Sequence, residues 1–93
     1  MALDSPELME FLGALAAQYN ADRVIIRPTP ARAWEYDRSG QLLRGDISAL
    51  DVSQEGRRLY CVPQKPAEGG FWGCVLYDEA DNVLREWVEQ FPA

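Results

Sequence analysis

Residues 36–44 read YDRSGQLLR, and residues 77–85 read YDEADNVLR. Both stretches give Tyr-Asp, three turn residues, an amide, two aliphatic residues and Arg. Asp, Asn, Ser and Gly favour tight turns, because they bond to nearby backbone or accept left-handed backbone. Each stretch therefore predicts a β-hairpin. Shared turn chemistry and a duplicated hairpin both explain the likeness, although two copies are too few for a repeat protein.

Apolar and alternating runs around these turns predict the remaining strands. The run Val24-Ile25-Ile26 is β-branched and short, which is typical of a strand buried on both faces. Residues 31–37 alternate, so Trp34 and Tyr36 share one face while Ala33 and Glu35 share the other. The predicted strands cover residues 24–26, 31–37, 42–47, 57–62, 71–77 and 83–88, with a Pro/Gly loop at 63–70.

A helix is predicted before the strands, from about Ser5 to Tyr19. Ser5 is a good N-cap, and Pro6 suits the first helical position. The positions Leu8, Leu12, Leu15 and Tyr19 make one apolar face. The sequence thus predicts a single α+β domain over residues 1–93. Its N-terminal amphipathic helix packs on a mainly antiparallel, curled sheet of five or six strands, with hairpins at about 31–47 and 57–88.

The two cysteines lie in neighbouring predicted strands. Symmetric closure of the 62–71 loop sets Cys61 opposite Cys74, Leu59 opposite Leu76, and Tyr60 opposite Val75. We expect both thiols to stay reduced, because disulfides are rare in the cytosol.

Several classes of function lack their residues. The chain has no histidine, which removes His-based nucleophile activation and histidine metal ligands. Two cysteines alone cannot hold a structural zinc ion, and there is no GxGxxG or P-loop. We therefore expect no catalytic residues, no metal, no cofactor and no enzyme activity. No apolar run is long enough to cross a membrane, and the first residues lack a secretory signal. These features predict a cytoplasmic bacterial protein.

Charge is unevenly distributed along the chain. Residues 1–22 carry −4, residues 23–65 carry +3 and residues 66–93 carry −5, which sum to the net charge of −6. This balance opposes binding to duplex DNA, whose affinity depends on positive charge. The arginines of the middle section could form a face suited to carboxylates or phosphates, although solvated surface charge explains them equally.

Aromatic residues are abundant, and both faces of the last hairpin are apolar. We expect one face to meet the helix and the other to be covered by another protein or by a second copy in a homodimer. The protein would then act as an adaptor, an immunity protein or an inhibitor from a phage or mobile element. Acidic residues near the hairpin could also imitate phosphates for a basic partner. The predicted partner-binding residues are Trp72, Tyr77, Asp78, Glu79, Asp81 and Trp87.

One alternative rests on a pair of motifs. Arg23 and Arg27 form Arg-x-x-x-Arg, and Asp51, Ser53 and Gly56 form Asp-x-Ser-x-x-Gly. This order and spacing resemble the PilZ domain, a receptor for cyclic di-GMP. The resemblance implies that the arginines clamp guanine and phosphate while the second motif contacts the other guanine edge. The same Asp, Ser and Gly also suit an ordinary β-turn.

Overall fold

The computed structural model describes residues 6–64 and 71–90, which form one helix and six strands. The α+β class is confirmed, with six strands among these residues. The elements are α1 (Pro6–Tyr19), β1 (Arg23–Ile26), β2 (Arg32–Asp37), β3 (Leu42–Ser48), a 3₁₀ turn (Ala49–Asp51), β4 (Arg58–Gln64), β5 (Phe71–Tyr77) and β6 (Val83–Gln90).

The strands form one sheet in the order β3-β2-β1-β4-β5-β6. Every neighbouring pair is antiparallel except β1 and β4, which run parallel at the centre. The predicted mainly antiparallel sheet is therefore confirmed. β3 and β6 lie at opposite ends of this order, so the sheet is open, and its curl stays a prediction.

Helix α1 packs on one face of the sheet and builds the main core. Leu12, Leu15 and Ala16 are buried from the helix side. The sheet supplies Val24, Ile26, Tyr36, Leu59, Cys61 and Leu76 to the same cluster. Burying a side chain such as Leu12 is worth about 1.5–3 kcal/mol. Within residues 6–64 and 71–90, no helix has the length and apolar character needed to cross a membrane.

A smaller cluster lies on the opposite face, which we call the far face and define by Ile25, Ala33 and Tyr60. The connection from β3 to β4 folds back over it, and Val52 packs there against Ile25 and Ala33. All of β1 after its first residue is buried, because the helix covers one side and this connection covers part of the other. The predicted burial of Val24-Ile25-Ile26 is confirmed.

The predicted register of β4 and β5 is wrong by two residues. Cys61 lies opposite Leu76, while Cys74 lies opposite Pro63. Tyr60 lies opposite Tyr77 rather than Val75. Alternation fixes which side chains share a face, and a shift of two residues preserves that arrangement. The sequence pattern therefore could not distinguish the two registers.

Strand β4 also continues past its predicted end at Val62, through Pro63 to Gln64. A proline is tolerated here because β1 ends at Ile26, whose partner is Cys61. No β1 residue is paired with Pro63, so its missing N–H breaks no bond to that strand. The rest of the predicted loop, residues 65–70, lies outside the described residues.

Candidate functional site

The far face carries the arginines of the central strands. Val24 and Ile26 belong to the cluster under α1, so alternation directs Arg23 and Ile25 to the opposite side. Arg27 follows at the end of β1, and its backbone N–H donates to the Cys61 carbonyl oxygen at 2.9 Å. This bond fixes where the Arg27 side chain leaves the sheet.

A groove of about 310 Å³, which we call the tyrosine groove, opens on this face where β1 ends beside β4 and β5. Its walls are mostly apolar, and two tyrosines that lie directly opposite each other, Tyr60 and Tyr77, form part of them. The lining residues are Arg27, Pro28, Thr29, Pro30, Tyr60, Val62, Tyr77 and Asp81. Most binding sites combine such apolar walls with a few placed polar groups.

The Arg27 guanidinium is only partly hydrogen-bonded in this groove. Its Nε is buried and has no hydrogen-bond partner. Its Nη2 makes only a long bond to the Pro30 carbonyl oxygen, at 3.4 Å. Buried polar atoms in folded proteins are almost always paired, because an unmet donor costs about 1–3 kcal/mol. An acceptor brought by a ligand would remove this cost.

The Tyr60 ring is held in place by Arg58, two residues earlier in the same strand. The Arg58 Nε donates to the Tyr60 hydroxyl oxygen at 3.1 Å, and Arg58 Nη1 donates to the Gly56 carbonyl oxygen at 3.2 Å. Arg58 itself is buried. One wall of the groove is therefore fixed before any ligand arrives.

Acidic residues of the β5–β6 turn border the groove. Asp81 lines it, and Glu79 lines an adjoining hollow of about 540 Å³ that shares Arg27, Tyr60 and Asp81. Both acids are exposed. The groove therefore offers a half-buried arginine with a buried, unpaired Nε and an acidic rim, which favour a ligand bearing both charges over a phosphate dianion.

A separate polar cluster surrounds Glu35, which sequence reasoning did not select. Glu35 is buried, and its carboxylate accepts bonds from the Arg44 guanidinium and, at 3.2 Å, from the Ser53 N–H. With Arg23, these residues line a hollow of about 430 Å³. Arg23 Nη1 is buried there without a hydrogen-bond partner. Alternation along β2 places Glu35 on the same face as Ala33, but no pattern in the sequence indicated that this face is buried.

The structure brings together only part of the proposed cyclic dinucleotide motif. Arg23 and Ser53 line the hollow beside Glu35, whereas Arg27 lines the tyrosine groove. The two arginines are four residue positions apart, which corresponds to roughly 13 Å along a strand. Asp51 is exposed, and its carbonyl oxygen accepts a bond from Arg44 at 2.9 Å. Gly56 has φ +68°, and a Cβ there would lie 2.5 Å from Asp22 Oδ2.

The predicted partner-binding residues divide into three groups. Tyr77 and Asp81 line the groove, and Glu79 lines its extension. Asp78 serves its own turn: its Oδ1 accepts bonds from the N–H groups of Ala80 and Asn82, both at 2.9 Å. The Asn82 side-chain amide also donates to Asp78 and, with these bonds, lowers the pKa of its carboxyl group. The side chains of Trp72 and Trp87 lie outside the described residues.

Comparison with known proteins finds no matching family model, no matching curated protein and no matching solved structure.

Proposed function

We propose that this protein is a non-catalytic interaction module, acting in the bacterial cytoplasm, that binds a segment of another protein in the tyrosine groove. The observation that carries the proposal is the buried Arg27 Nε, which lacks a partner in a largely apolar groove. The partner segment would supply apolar side chains to Tyr60 and Tyr77 and a carboxylate to Arg27. Desolvated arginines and tyrosines of this kind often contribute most of the binding energy at protein interfaces.

The acidic rim supports a protein segment over a small anion. Glu79 and Asp81 would repel a polyanion but would attract basic residues that flank the bound segment. The acidic hairpin thus keeps its predicted role of attracting a basic partner. Within it, the Asp78 carboxylate is already bonded to Ala80 and Asn82 of its own turn.

The test compares Arg27→Met with a matched control, Arg38→Met. Arg38 is exposed, and its guanidinium lies 3.9 Å from the Asp22 carboxylate, so its loss should leave the groove unchanged. Partners captured by the wild-type protein are identified and purified, and their affinities are measured by calorimetry. We expect Arg27→Met to weaken binding at least tenfold and Arg38→Met to change it less than twofold. If both variants bind the partner with equal affinity, the groove is rejected as the binding site. It is also rejected if Arg27→Met and Tyr77→Ser capture as much partner as the wild-type protein.

Cyclic dinucleotide binding is a second candidate, favoured by one observation. Both Arg23 and Arg27 keep a buried N–H without a hydrogen-bond partner on the same face of the sheet. The candidate is weaker because these arginines line different hollows and Asp51 lines neither. Cyclic di-GMP at ~100 times its Kd would add about 2.7 kcal/mol to stability. That would raise the melting midpoint by roughly 10 °C or more. A shift that persists in Arg27→Met and Asp51→Ala would rule out these residues.

A further inference from the structure

The sheet consists of two β-meanders with the same arrangement. The first meander is β1-β2-β3 and the second is β4-β5-β6. In each, consecutive strands pair in antiparallel fashion, and the first strands of the two meanders lie side by side and parallel. A rotation of 180° about an axis along the strands, with a shift of about one residue along that axis, relates two such units. Rotation about this axis keeps strand direction but exchanges the faces of the sheet.

The two hairpin turns have the same hydrogen bonds, which supports the relationship. Asp37 Oδ1 accepts from the N–H groups of the second and fourth residues after it, and Asp78 Oδ1 does the same. The Asp37 and Asp78 N–H groups each donate to the carbonyl oxygen four residues later, at 2.9 Å and 3.0 Å. The third residue after each Asp has positive φ, +87° at Gly40 and +63° at Asp81.

Cross-strand pairs show the exchange of faces. In the first meander, Val24 pairs with Tyr36 and Ile26 pairs with Trp34. These four residues belong to, or pack against, the core under α1. The corresponding pairs in the second meander are Tyr60 with Tyr77 and Val62 with Val75. They are half-buried, and three of the four line the groove on the far face.

From this relationship we infer that the groove of the second meander receives an amphipathic helix from a partner protein, much as α1 packs on the corresponding cross-strand pairs of the first meander. The inference rests on the proposed function and specifies the form of its partner. Helix α1 cannot itself fill the groove, because Leu12, Leu15 and Ala16 are already buried against the other face. The groove therefore takes a helix that this chain does not supply from its described residues.

The turns differ in sequence after their shared Asp, and the replacement of Gly40 by Asp81 at the corresponding position shapes the expected helix. A Cβ at Gly40 would lie 1.9 Å from the Met9 carbonyl oxygen, so α1 depends on this glycine for its close approach. Asp81 occupies the corresponding position, and its side chain keeps a helix farther from the turn. Its carboxylate also favours the positive N-terminal half of a helix, the half of α1 that contacts Gly40. The partner helix would carry basic residues there and an acidic residue near Arg27.

A derivative of α1 provides the probe. A fluorescent peptide of residues 5–20 with Glu7→Lys and Glu10→Lys keeps the apolar stripe and places positive charge near its N-terminus. Binding to the intact protein is followed by fluorescence anisotropy, with a scrambled peptide of the same composition as control. We expect saturable binding with Kd on the order of 10 μM, corresponding to about −7 kcal/mol. Tyr77→Ser should weaken it at least tenfold. Leu84→Ser, which alters an exposed leucine of β6, should change it less than twofold.

Amide chemical shifts of the wild-type protein locate the peptide without relying on a variant. We expect changes at Thr29, Tyr60, Val62, Tyr77 and Asp81. Changes concentrated at Leu12, Leu15 and Ala16 would mean that the peptide replaces α1, and this would overturn the inference. Absence of binding, or equal binding of the scrambled peptide, would also overturn it.

The natural partner separates this inference from the proposed function. If the purified partner depends on Arg27 but binds as an extended segment by NMR, the proposed function stands and the helix inference fails. If sedimentation shows a dimer of this chain that Tyr77→Ser abolishes, a second copy occupies the groove. Either result would overturn the inferred partner helix.

Discussion

Glu35 lies directly opposite Arg44 across β2 and β3, and its buried carboxylate accepts hydrogen bonds from the Arg44 guanidinium. The Arg44 side chain is 47% exposed and that of Glu35 is 2% exposed. Arg44 also donates to the Asp51 carbonyl oxygen at 2.9 Å, while Ser53 N–H bonds to Glu35. The pair therefore fastens the β3–β4 connection onto the far face.

We expect Arg44→Met to destabilise the protein by about 2–4 kcal/mol, because it leaves a buried carboxylate without its cation. The double variant Glu35→Leu with Arg44→Met should recover most of this loss, since it removes the buried charge as well. Urea denaturation of both variants measures the difference. Identical unfolding midpoints for the single and double variants would show that Glu35 does not depend on Arg44.

The two hairpin turns should respond to different extents when the residue at the left-handed position is exchanged. Gly40→Ala places a Cβ against the Met9 backbone at a φ of +87°, so we expect a loss of about 2 kcal/mol or more. Asp81→Gly relieves left-handed strain at φ +63° but adds flexibility to the unfolded chain, so the net change should stay within about 0.5 kcal/mol. The thermal unfolding midpoints of the two variants are compared with that of the wild-type protein. Equal losses would indicate that α1 does not pack tightly on the first turn.

Stability should depend on pH through the aspartates of these turns. The Ser39 hydroxyl bonded to Asp37 at 2.6 Å lowers the pKa of that carboxyl below its usual value, with help from backbone N–H groups. A carboxyl whose folded pKa is lowered stabilises the fold above its unfolded pKa of about 3.9. This contribution disappears as pH falls through the folded pKa. Asp37→Asn should therefore melt below the wild type at pH 6, and the gap should narrow as the pH falls below the unfolded pKa of about 3.9. A constant gap across this range would exclude a charge effect.

The register of β4 and β5 predicts which cysteine pair can form. Leu76→Cys places a second thiol opposite Cys61, where cross-strand Cβ atoms lie about 4.5–5.5 Å apart. We expect mild oxidation to link Cys61 to the new Cys and to leave wild-type protein unlinked. Peptide mapping by mass spectrometry identifies the bond. A Cys61–Cys74 bond in wild-type protein would instead support the register predicted from symmetric loop closure.

Local patterns in the sequence were sufficient for the elements and both hairpins. Asp37 and Asp78 each direct several bonds within one turn, so their effect is visible in a few neighbouring residues. The α1 stripe likewise identifies its own buried face, as Leu12 and Leu15 confirm.

Pairings between distant segments could not be predicted in this way. Alternation left the β4–β5 register undecided by two residues, and nothing local indicates that β1 lies parallel to β4. The groove combines the end of β1, the middle of β4 and the β5–β6 turn, so its residues are adjacent only after folding. Tyr77 and Asp81 were nevertheless expected at an interface, and both line the groove.

The central parallel pair also determines the expected order of folding. Each meander forms from strands that follow one another in sequence, whereas β1 meets β4 only after the chain between them is closed into a loop. Long-range pairing of this kind is slow because loop entropy is lost before contacts compensate for it. The hairpins should therefore form early, and their joining should limit the folding rate. Stopped-flow measurements on Ile25→Val, which weakens the packing of β1 against Val52, should show slower folding, because β1 would already pair with β4 at the barrier. Faster unfolding with unchanged folding would place this pairing after the barrier.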